Sequence, residues 1–145
     1  PSAVIPADKF LLGGTGSLRG FVSGGIGPRA SSGTMGGDAL GGNFFYSANA
    51  LLSMPSPSLL SQHSELSGMF RYVRLFGFVN AGTCVDVLGS KSWINVLNST
   101  RTSVGVGVAT KVLGPRLEAT YSWPQRFGPS DGRRRFQYGL SVSIG

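Results

Sequence analysis

The sequence predicts an all-β protein, a membrane-spanning antiparallel β-barrel. Segments of about ten residues alternate apolar side chains with polar residues or glycine, as strands do when their two faces meet different surroundings. Short turns alternate with longer loops between these segments. Charged residues make up 13% of the 145 residues, about half the usual share, and 23 residues are glycine. Together these observations are typical of strands that face lipid on one side and a wet lumen on the other.

The alternation is clearest towards the end of the chain. In residues 101–112, valine or threonine occupies every even position, while charged or small residues occupy the odd ones. Residues 116–123 and 135–144 continue the pattern, with large apolar or aromatic side chains on one face of each. Two earlier strands are predicted at residues 44–54 and 69–79, the second blurred by Arg71 and Arg74, and residues 80–99 and 124–133 are predicted as long loops.

Five strands cannot close a cylinder, because barrels begin at about eight strands and an open edge in lipid leaves backbone groups unpaired. We therefore expect residues 1–145 to be the carboxy-terminal portion of a larger barrel, with residues 1–43 as a glycine-rich loop and residues 44–145 as its last five strands. A soluble sandwich or lipocalin-like barrel has the same period and is the alternative. The small residues and few charges of the polar face favour the membrane, because a soluble barrel carries its charges outside.

The glycine-rich loop contains the segment Phe10-Leu-Leu-Gly-Gly-Thr-Gly-Ser-Leu-Arg-Gly-Phe21. Four of these twelve residues are glycine, which permits a positive φ or a close approach to other parts of the chain. The single charge of the segment, Arg19, can project five fixed donors into a confined site. An ordinary exposed loop has a similar composition, so these residues alone leave both interpretations open.

The composition gives no indication of an enzyme. The sequence has one histidine and no set of a nucleophile with a general base. It also has no cluster of metal ligands and no complete phosphate-binding loop, so we expect no catalytic residue, cofactor or metal site. The single Cys84 can form no intramolecular disulfide. The net charge of +7, with Arg126 and residues 133–135 close together, fits nucleic acid or anionic lipid. Because no nucleic-acid motif accompanies these arginines, nucleic acid is not an expected partner.

Further glycine motifs follow the loop in a fixed order. They are Ile26-Gly-Pro28, Leu40-Gly-Gly-Asn43, Phe78-Val-Asn-Ala-Gly-Thr83, Ser103-Val-Gly-Val-Gly107, Leu113-Gly-Pro-Arg-Leu-Glu118 and Phe136-Gln-Tyr-Gly139. With the Arg-Gly-Phe tip of the loop, this series resembles the BamA-like outer-membrane assembly superfamily. The resemblance extends over essentially the whole chain and is strongest to the mitochondrial branch, the barrel subunit of the sorting and assembly machinery.

The resemblance implies that the protein inserts β-barrel precursors into the mitochondrial outer membrane. In this family the first and last barrel strands meet at a weakly paired lateral seam, where a precursor strand pairs by β-augmentation. The implied partners are the outer-membrane lipid bilayer, β-barrel precursor proteins and accessory assembly subunits. A passive outer-membrane pore is the alternative function, and a bacterial or plastid member of the superfamily is the alternative source. The family resemblance makes residues 136–144 one side of this seam. The same strand also resembles the carboxy-terminal targeting signal of mitochondrial barrels, through Gln137, Gly139, Val142 and Ile144.

The same resemblance implies roles for the loop residues. The signature loop of the family folds into the barrel lumen, where its arginine contacts the inner wall. Arg19 is then the anchor, Gly20 allows the close approach and Phe21 packs beside it, with Gly13 and Gly14 in the same loop.

The sequence offers two candidate wall partners for Arg19. Bacterial relatives place acidic residues on the wall opposite this arginine, but the matching positions here are Leu51 and Asn80. Asn80 can accept a hydrogen bond, although more weakly than a carboxylate does. Glu118 lies on the polar face of its predicted strand and is the other candidate partner.

Overall fold

The computed structural model describes residues 9–30, 37–55, 73–87, 93–111 and 115–141. The five strands in these ranges form one antiparallel sheet in which each strand pairs with the next along the chain. None of the helices in these ranges is long and apolar enough to cross a bilayer. The strands are β1 (Phe44–Pro55), β2 (Arg74–Val85), β3 (Arg101–Lys111), β4 (Arg116–Arg126) and β5 (Phe136–Ser141), and a short helix, α1 (Trp93–Asn98), lies between β2 and β3.

The two faces of the sheet differ as the alternation predicts. On β3, Val104, Val106 and Val108 are exposed on the outer face, whereas Ser103 and its odd-numbered neighbours are buried on the inner face. Leu117, Tyr121 and Trp123 of β4 continue the exposed apolar face. Because opposite residues of an antiparallel ladder share a face, the register extends this division across all five strands. The apolar face is therefore the outer one.

β2 departs from the sequence prediction. The predicted strand at 69–79 begins too early, since residue 73 is outside the strand and residues 69–72 lie outside the described ranges. The loop predicted over residues 80–99 is wrong for residues 80–85, which complete β2, and for α1. The alternation continues through Asn80, Gly82 and Cys84 on the inner face, but polar and small residues hide it from a hydrophobicity pattern.

β4 and β5 also differ slightly from their predicted bounds. β4 runs through Pro124 to Arg126. Its register with β3 shifts between Thr102 and Ser103, opposite the proline, and this irregularity accommodates a residue that has no N–H to donate to the ladder. The ladder with β5 extends no further than Tyr121, so Pro124 needs no hydrogen there. The described part of β5 ends at residue 141, and residues 142–144 of the predicted strand lie outside the described ranges.

The glycine-rich segment covers the inner face of the sheet without forming a regular strand. Isolated bridges join it to itself and to neighbouring chain, as between Phe10 and Gly42. Four of its apolar side chains are turned to the wall and form one buried cluster with a residue of β2, whereas Phe10 and Leu11 are exposed. The cluster consists of Leu12, Leu18, Phe21, Ile26 and Cys84.

Two phenylalanines of β2 lie on the inner face opposite glycines of β3. Phe78 pairs with Gly105 and Phe76 with Gly107, and both rings are buried. A Cβ added at Gly105 would lie 2.4 Å from Phe78 Cζ, and one at Gly107 would lie 2.4 Å from Phe76 Cζ. The rings thus occupy the space that side chains on β3 would fill.

We expect the substitution Gly105→Ala to destabilise the barrel by about 1–3 kcal/mol, the usual cost of overpacking. The added methyl would meet both the Phe78 ring and the main-chain oxygen of Tyr121 at 2.4 Å, and the backbone atom cannot move aside. The midpoint of thermal unfolding measures this loss of stability, and the heat-dependent mobility of the barrel in gels reports the unfolding.

Gly77→Ala is the matched control, because the nearest atom to its added Cβ is 3.9 Å away. Equal midpoints for the two variants would contradict the packing of the rings over β3.

Candidate functional site

The guanidinium of Arg19 forms an ion pair with the carboxylate of Glu118 on β4. Nη2 lies 3.0 Å from Oε1 and 3.3 Å from Oε2, and Nε lies 3.3 Å from Oε1. The two side chains retain 15% and 10% of their exposure. A charge-assisted pair with several N–H···O contacts fixes the orientation of the guanidinium as well as its position. The loop is therefore attached to the wall by a largely buried ion pair.

Aromatic rings lie beneath the same guanidinium. Its central carbon is 5.4 Å from the ring centre of Phe78 and 5.8 Å from that of Phe76. A second cation, Arg116, is 5.8 Å from the Phe76 ring and 3.6 Å from Glu118 Oε2. Glu118 thus lies between two guanidinium groups, and both cations contact aromatic faces that attract positive charge.

The main-chain oxygen of Arg19 is bound by the wall as well. Ser103 Oγ donates to it at 2.5 Å, and Asn80 Nδ2 donates to it at 3.4 Å. Asn80 Nδ2 also contacts Ser103 Oγ at 3.3 Å. Asn80 therefore meets the loop as a donor to the main chain of Arg19, and the structure places the carboxylate of Glu118 against the guanidinium.

Gln137 of β5 binds both sides of the dipeptide that follows Arg19. Its Oε1 accepts from the Gly20 amide at 2.8 Å, and its Nε2 donates to the Phe21 carbonyl at 2.7 Å. The side chain is buried, so both bonds form away from water. A primary amide can pair with a peptide backbone in this way because it carries one acceptor and one donor side by side.

The tip needs its glycine for two reasons. Gly20 has a φ of 93°, and a Cβ there would lie 3.1 Å from Ser103 Cβ and 3.2 Å from Ser122 Cβ. Phe21, fully buried, packs into the cluster that includes Leu18. The tip can approach the wall this closely only without a side chain at position 20.

Gly13 and Gly14 lie in the same loop, just before its turn at residues 15–17. Gly13 has a φ of 127°, and a Cβ there would lie 2.1 Å from the carbonyl oxygen of Val22. The Gly14 amide donates to the Phe21 carbonyl at 2.9 Å. These two glycines therefore let the strand-like halves of the loop pass close to each other.

The connection between β4 and β5 forms a second support for the tip. The Val22 amide donates to Gly132 O at 2.8 Å, and the Arg134 amide donates to Gly20 O at 3.0 Å. Asp131, buried in this connection, accepts from Arg101 Nε at 2.5 Å and from the Gly128 amide. The sequence predicted only a basic loop at residues 124–133, in which Gly128-Pro129 and Asp131-Gly132 are the local turn signals.

A third contact brings the loop to the terminal strand. A Cβ added at Gly139 would lie 2.9 Å from Thr15 Oγ1 and 3.2 Å from Thr15 Cβ. Thr15 therefore occupies the gap that a side chain at position 139 would fill. The structure brings Gln137 and Gly139 together with the loop, whereas Val142 and Ile144 lie outside the described residues. Leu51 lines the same hollow as Arg19 and Glu118 without an ion-pairing group.

Comparison with known proteins decides the family. The model of the Omp85 superfamily domain matches residues 2–144. The chain belongs to the Omp85 superfamily. It is 30% identical over 141 residues to a SAM50-like protein of Schizosaccharomyces pombe, covering 94% of this chain and 27% of the relative. It is also 33% identical over 129 residues to the human sorting and assembly machinery component 50 homolog, covering 86% of this chain and 25% of that protein.

A solved structure agrees with these relatives. The Omp85 chain is similar to BamA from Haemophilus ducreyi, crystallised without POTRA domains 1–3, with a TM-score of 0.68 and 28% identity over 91% of this chain and 26% of that one. The chain thus spans about a quarter of the proteins it matches. The predicted superfamily, the β-barrel fold and the mitochondrial outer-membrane location are confirmed.

The substitution Glu118→Gln should open the loop. It removes the charge opposite Arg19 but keeps the size of the side chain, and losing a charged partner costs about 1.5–3 kcal/mol. Each 1.4 kcal/mol is tenfold in population, so we expect trypsin to cut after Arg19 roughly ten times faster or more in the detergent-solubilised protein. Mass spectrometry of the fragments identifies the cut.

Asp38→Asn is the control for this experiment, because Asp38 is an exposed carboxylate of the same loop region. The same cleavage rate in Glu118→Gln as in the parent would show that the ion pair does not hold the loop.

Gly20→Ala should loosen the tip even with the ion pair intact. The left-handed backbone strain costs about 1–3 kcal/mol, and the methyl group would crowd Ser103 and Ser122. We expect faster amide hydrogen exchange in peptides that cover residues 18–25. Gly16→Ala is the matched control in the same loop, since no atom lies within 4 Å of its added Cβ. Unchanged exchange in Gly20→Ala would rule out the docked tip.

Proposed function

We propose that this chain is the carboxy-terminal portion of a barrel that inserts β-barrel precursors into the mitochondrial outer membrane by templating at a lateral seam. In this proposal residues 1–43 are the signature loop, residues 44–145 are the last five strands, and β5 is one side of the seam. Membership of the Omp85 superfamily and the names of the relatives, which describe sorting and assembly machinery, support it.

The position of β5 supports the templating step. Within the described residues β5 pairs with β4 alone, so its other edge carries backbone N–H and C=O groups that no strand satisfies. Such groups cost several kcal/mol each in lipid. An incoming precursor strand has the same need, and pairing it with β5 satisfies both edges. β1 is the other edge of the described sheet, and a preceding barrel strand would cover it.

The observation that carries the proposal is how β5 is held. Gln137 binds the loop tip through its side chain, and Thr15 packs against Gly139. The loop therefore contacts β5 on its inner face. Neither contact uses the free backbone edge. The strand is therefore fixed in place by side chains while its hydrogen-bonding edge stays available, as a template requires.

A passive pore fits the structure less well. The inner face is covered by the loop, with Phe21 and Leu18 fully buried, where a conducting lumen would be lined by water. A pore also has no need for a tip bound to four strands. The proposed partners are accordingly the bilayer, precursor strands and accessory assembly subunits, and the proposed activity forms and breaks no covalent bond.

Disulfide scanning tests the template directly. A single cysteine is placed at Tyr138 or Leu140 in the full-length protein after Cys84 and any other cysteines are replaced, and further cysteines are placed along the terminal strand of an arrested precursor. Both positions lie on the outer face of β5. Templating predicts disulfides at one preferred precursor position, which moves by two residues when the cysteine moves from 138 to 140.

Val106 is the matched control, because it lies exposed on the same face but on a strand paired at both edges. Equal disulfide formation at Val106 and Tyr138, or the absence of a preferred register on β5, would refute the seam.

A further inference from the structure

A hollow opens on the inner side of the sheet where β4 ends and β5 begins. Its volume is about 500 Å³, and we call it the basic hollow after its lining residues, Pro124, Phe127, Asp131, Arg133 and Arg135. The Ser122 amide of β4 donates to Arg135 O at 2.7 Å, which continues the ladder of β4 and β5 by one residue. Arg135 therefore lies on the same face as Gln137, the inner one.

The chain that carries these arginines is held in place by its neighbours. Phe21 of the loop tip forms an isolated bridge with Arg133, and the Arg134 amide donates to Gly20 O at 3.0 Å. The Arg133 guanidinium lies over the Phe127 ring, 4.1 Å from its centre. A guanidinium stacked on an aromatic face directs its N–H groups sideways, where they can bind acceptors. The basic hollow is thus a preformed site for an anion.

The positive charge of the basic hollow is not balanced by the part of the chain that the structure describes. Asp131 supplies the carboxylate of the lining, but its side chain is 2% exposed and accepts from Arg101 Nε and the Gly128 amide. Arg101 therefore already neutralises this carboxylate. Arg133 and Arg135 are exposed and form no ion pair with any described residue. Two cations remain, and they favour an anionic ligand.

We propose that the basic hollow binds the carboxylate side chains of an acidic peptide segment. Guanidinium groups bind carboxylates through paired, charge-assisted N–H···O bonds. A bilayer lies against the outer face of a barrel wall, so the inner position of the hollow favours a peptide over lipid headgroups.

The position of the hollow indicates which peptide it binds. Phe136, the first residue of β5, directly follows Arg135, so a strand paired with the edge of β5 would continue past the hollow. The occupant is therefore the segment of a precursor that adjoins its paired strand, and acidic residues in that segment strengthen its binding. This assignment of the peptide rests on the proposed templating function.

Peptide binding to the full-length protein in detergent tests the site. The probe is a fluorescein-labelled glycine-serine peptide that contains glutamates, compared with the same peptide in which glutamines replace them. We expect the glutamate peptide to bind more tightly. Arg133→Gln and Arg135→Gln should each weaken its binding about two- to fivefold, as for exposed charge pairs, and the double variant about tenfold. Arg135→Lys keeps the charge and should retain more affinity than Arg135→Gln, which separates peptide binding from a loss of fold.

Lys111→Gln is the matched control, because Lys111 is an exposed cation of β3 at the opposite end of the sheet. Equal weakening by Lys111→Gln and Arg135→Gln, or equal binding of the glutamate and glutamine peptides, would refute the site. In the reconstituted protein, a preference for spin-labelled phosphatidylserine over phosphatidylcholine that the double variant loses would place the arginines at lipid headgroups and would also overturn the proposal.

The seam disulfides formed from a cysteine at Tyr138 separate this inference from the proposed function. A preferred register at position 138, together with peptide binding that does not depend on the arginines, would refute the basic hollow as a binding site and leave the templating intact. Arginine-dependent peptide binding without a preferred register would support the hollow and refute the templating.

Discussion

The burial of one positive charge constrains most of this structure. Arg19 lies at the tip of a glycine-rich loop, 15% exposed, on the inner wall of the sheet. A buried guanidinium without a partner is costly, because no opposite charge then offsets its removal from water. Glu118 is the carboxylate at this place, so the loop can dock only where β4 presents it. The position of the whole loop follows from that requirement.

The rest of the tip is held by hydrogen bonds that come from separate strands. Asn80 of β2 and Ser103 of β3 bind the carbonyl of Arg19, and Gln137 of β5 binds the Gly20 amide and the Phe21 carbonyl. With Glu118 of β4, the tip thus contacts four consecutive strands. Because a buried backbone group left unpaired costs about as much as a lost hydrogen bond, the tip is stable only when these strands keep their register. The loop and the wall therefore order each other.

Much of this arrangement follows from residue patterns. Strict alternation predicted the faces of β3 and β4, and with them the inward position of Glu118, because a strand reverses side at every residue. The choice between Asn80 and Glu118 could not be made from the sequence, since both lie on the inner face and an arginine can reach either. The contacts of Gln137 were also hidden, because they depend on where the loop tip lies across strands that are distant in the chain.

Other elements could not be read because their local signals conflict. The end of β2 contains Asn80 and Gly82, which favour turns, and only pairing with β1 and β3 makes them a strand. α1 is six residues long, too short for helical periodicity to be distinguished from an apolar strand fragment. The support from Asp131 depends on contacts with Arg101, thirty residues earlier.

The phenylalanine rings that lie over glycines have an evolutionary consequence. Phe78 and Gly105 share one volume, as do Phe76 and Gly107, so neither member of a pair can change size alone. Relatives should therefore conserve the summed volume of the two side chains more strictly than the identity of either residue. A large residue on one strand and glycine on its neighbour should exchange places as a unit, and such paired exchanges would record the register of the two strands in sequences alone.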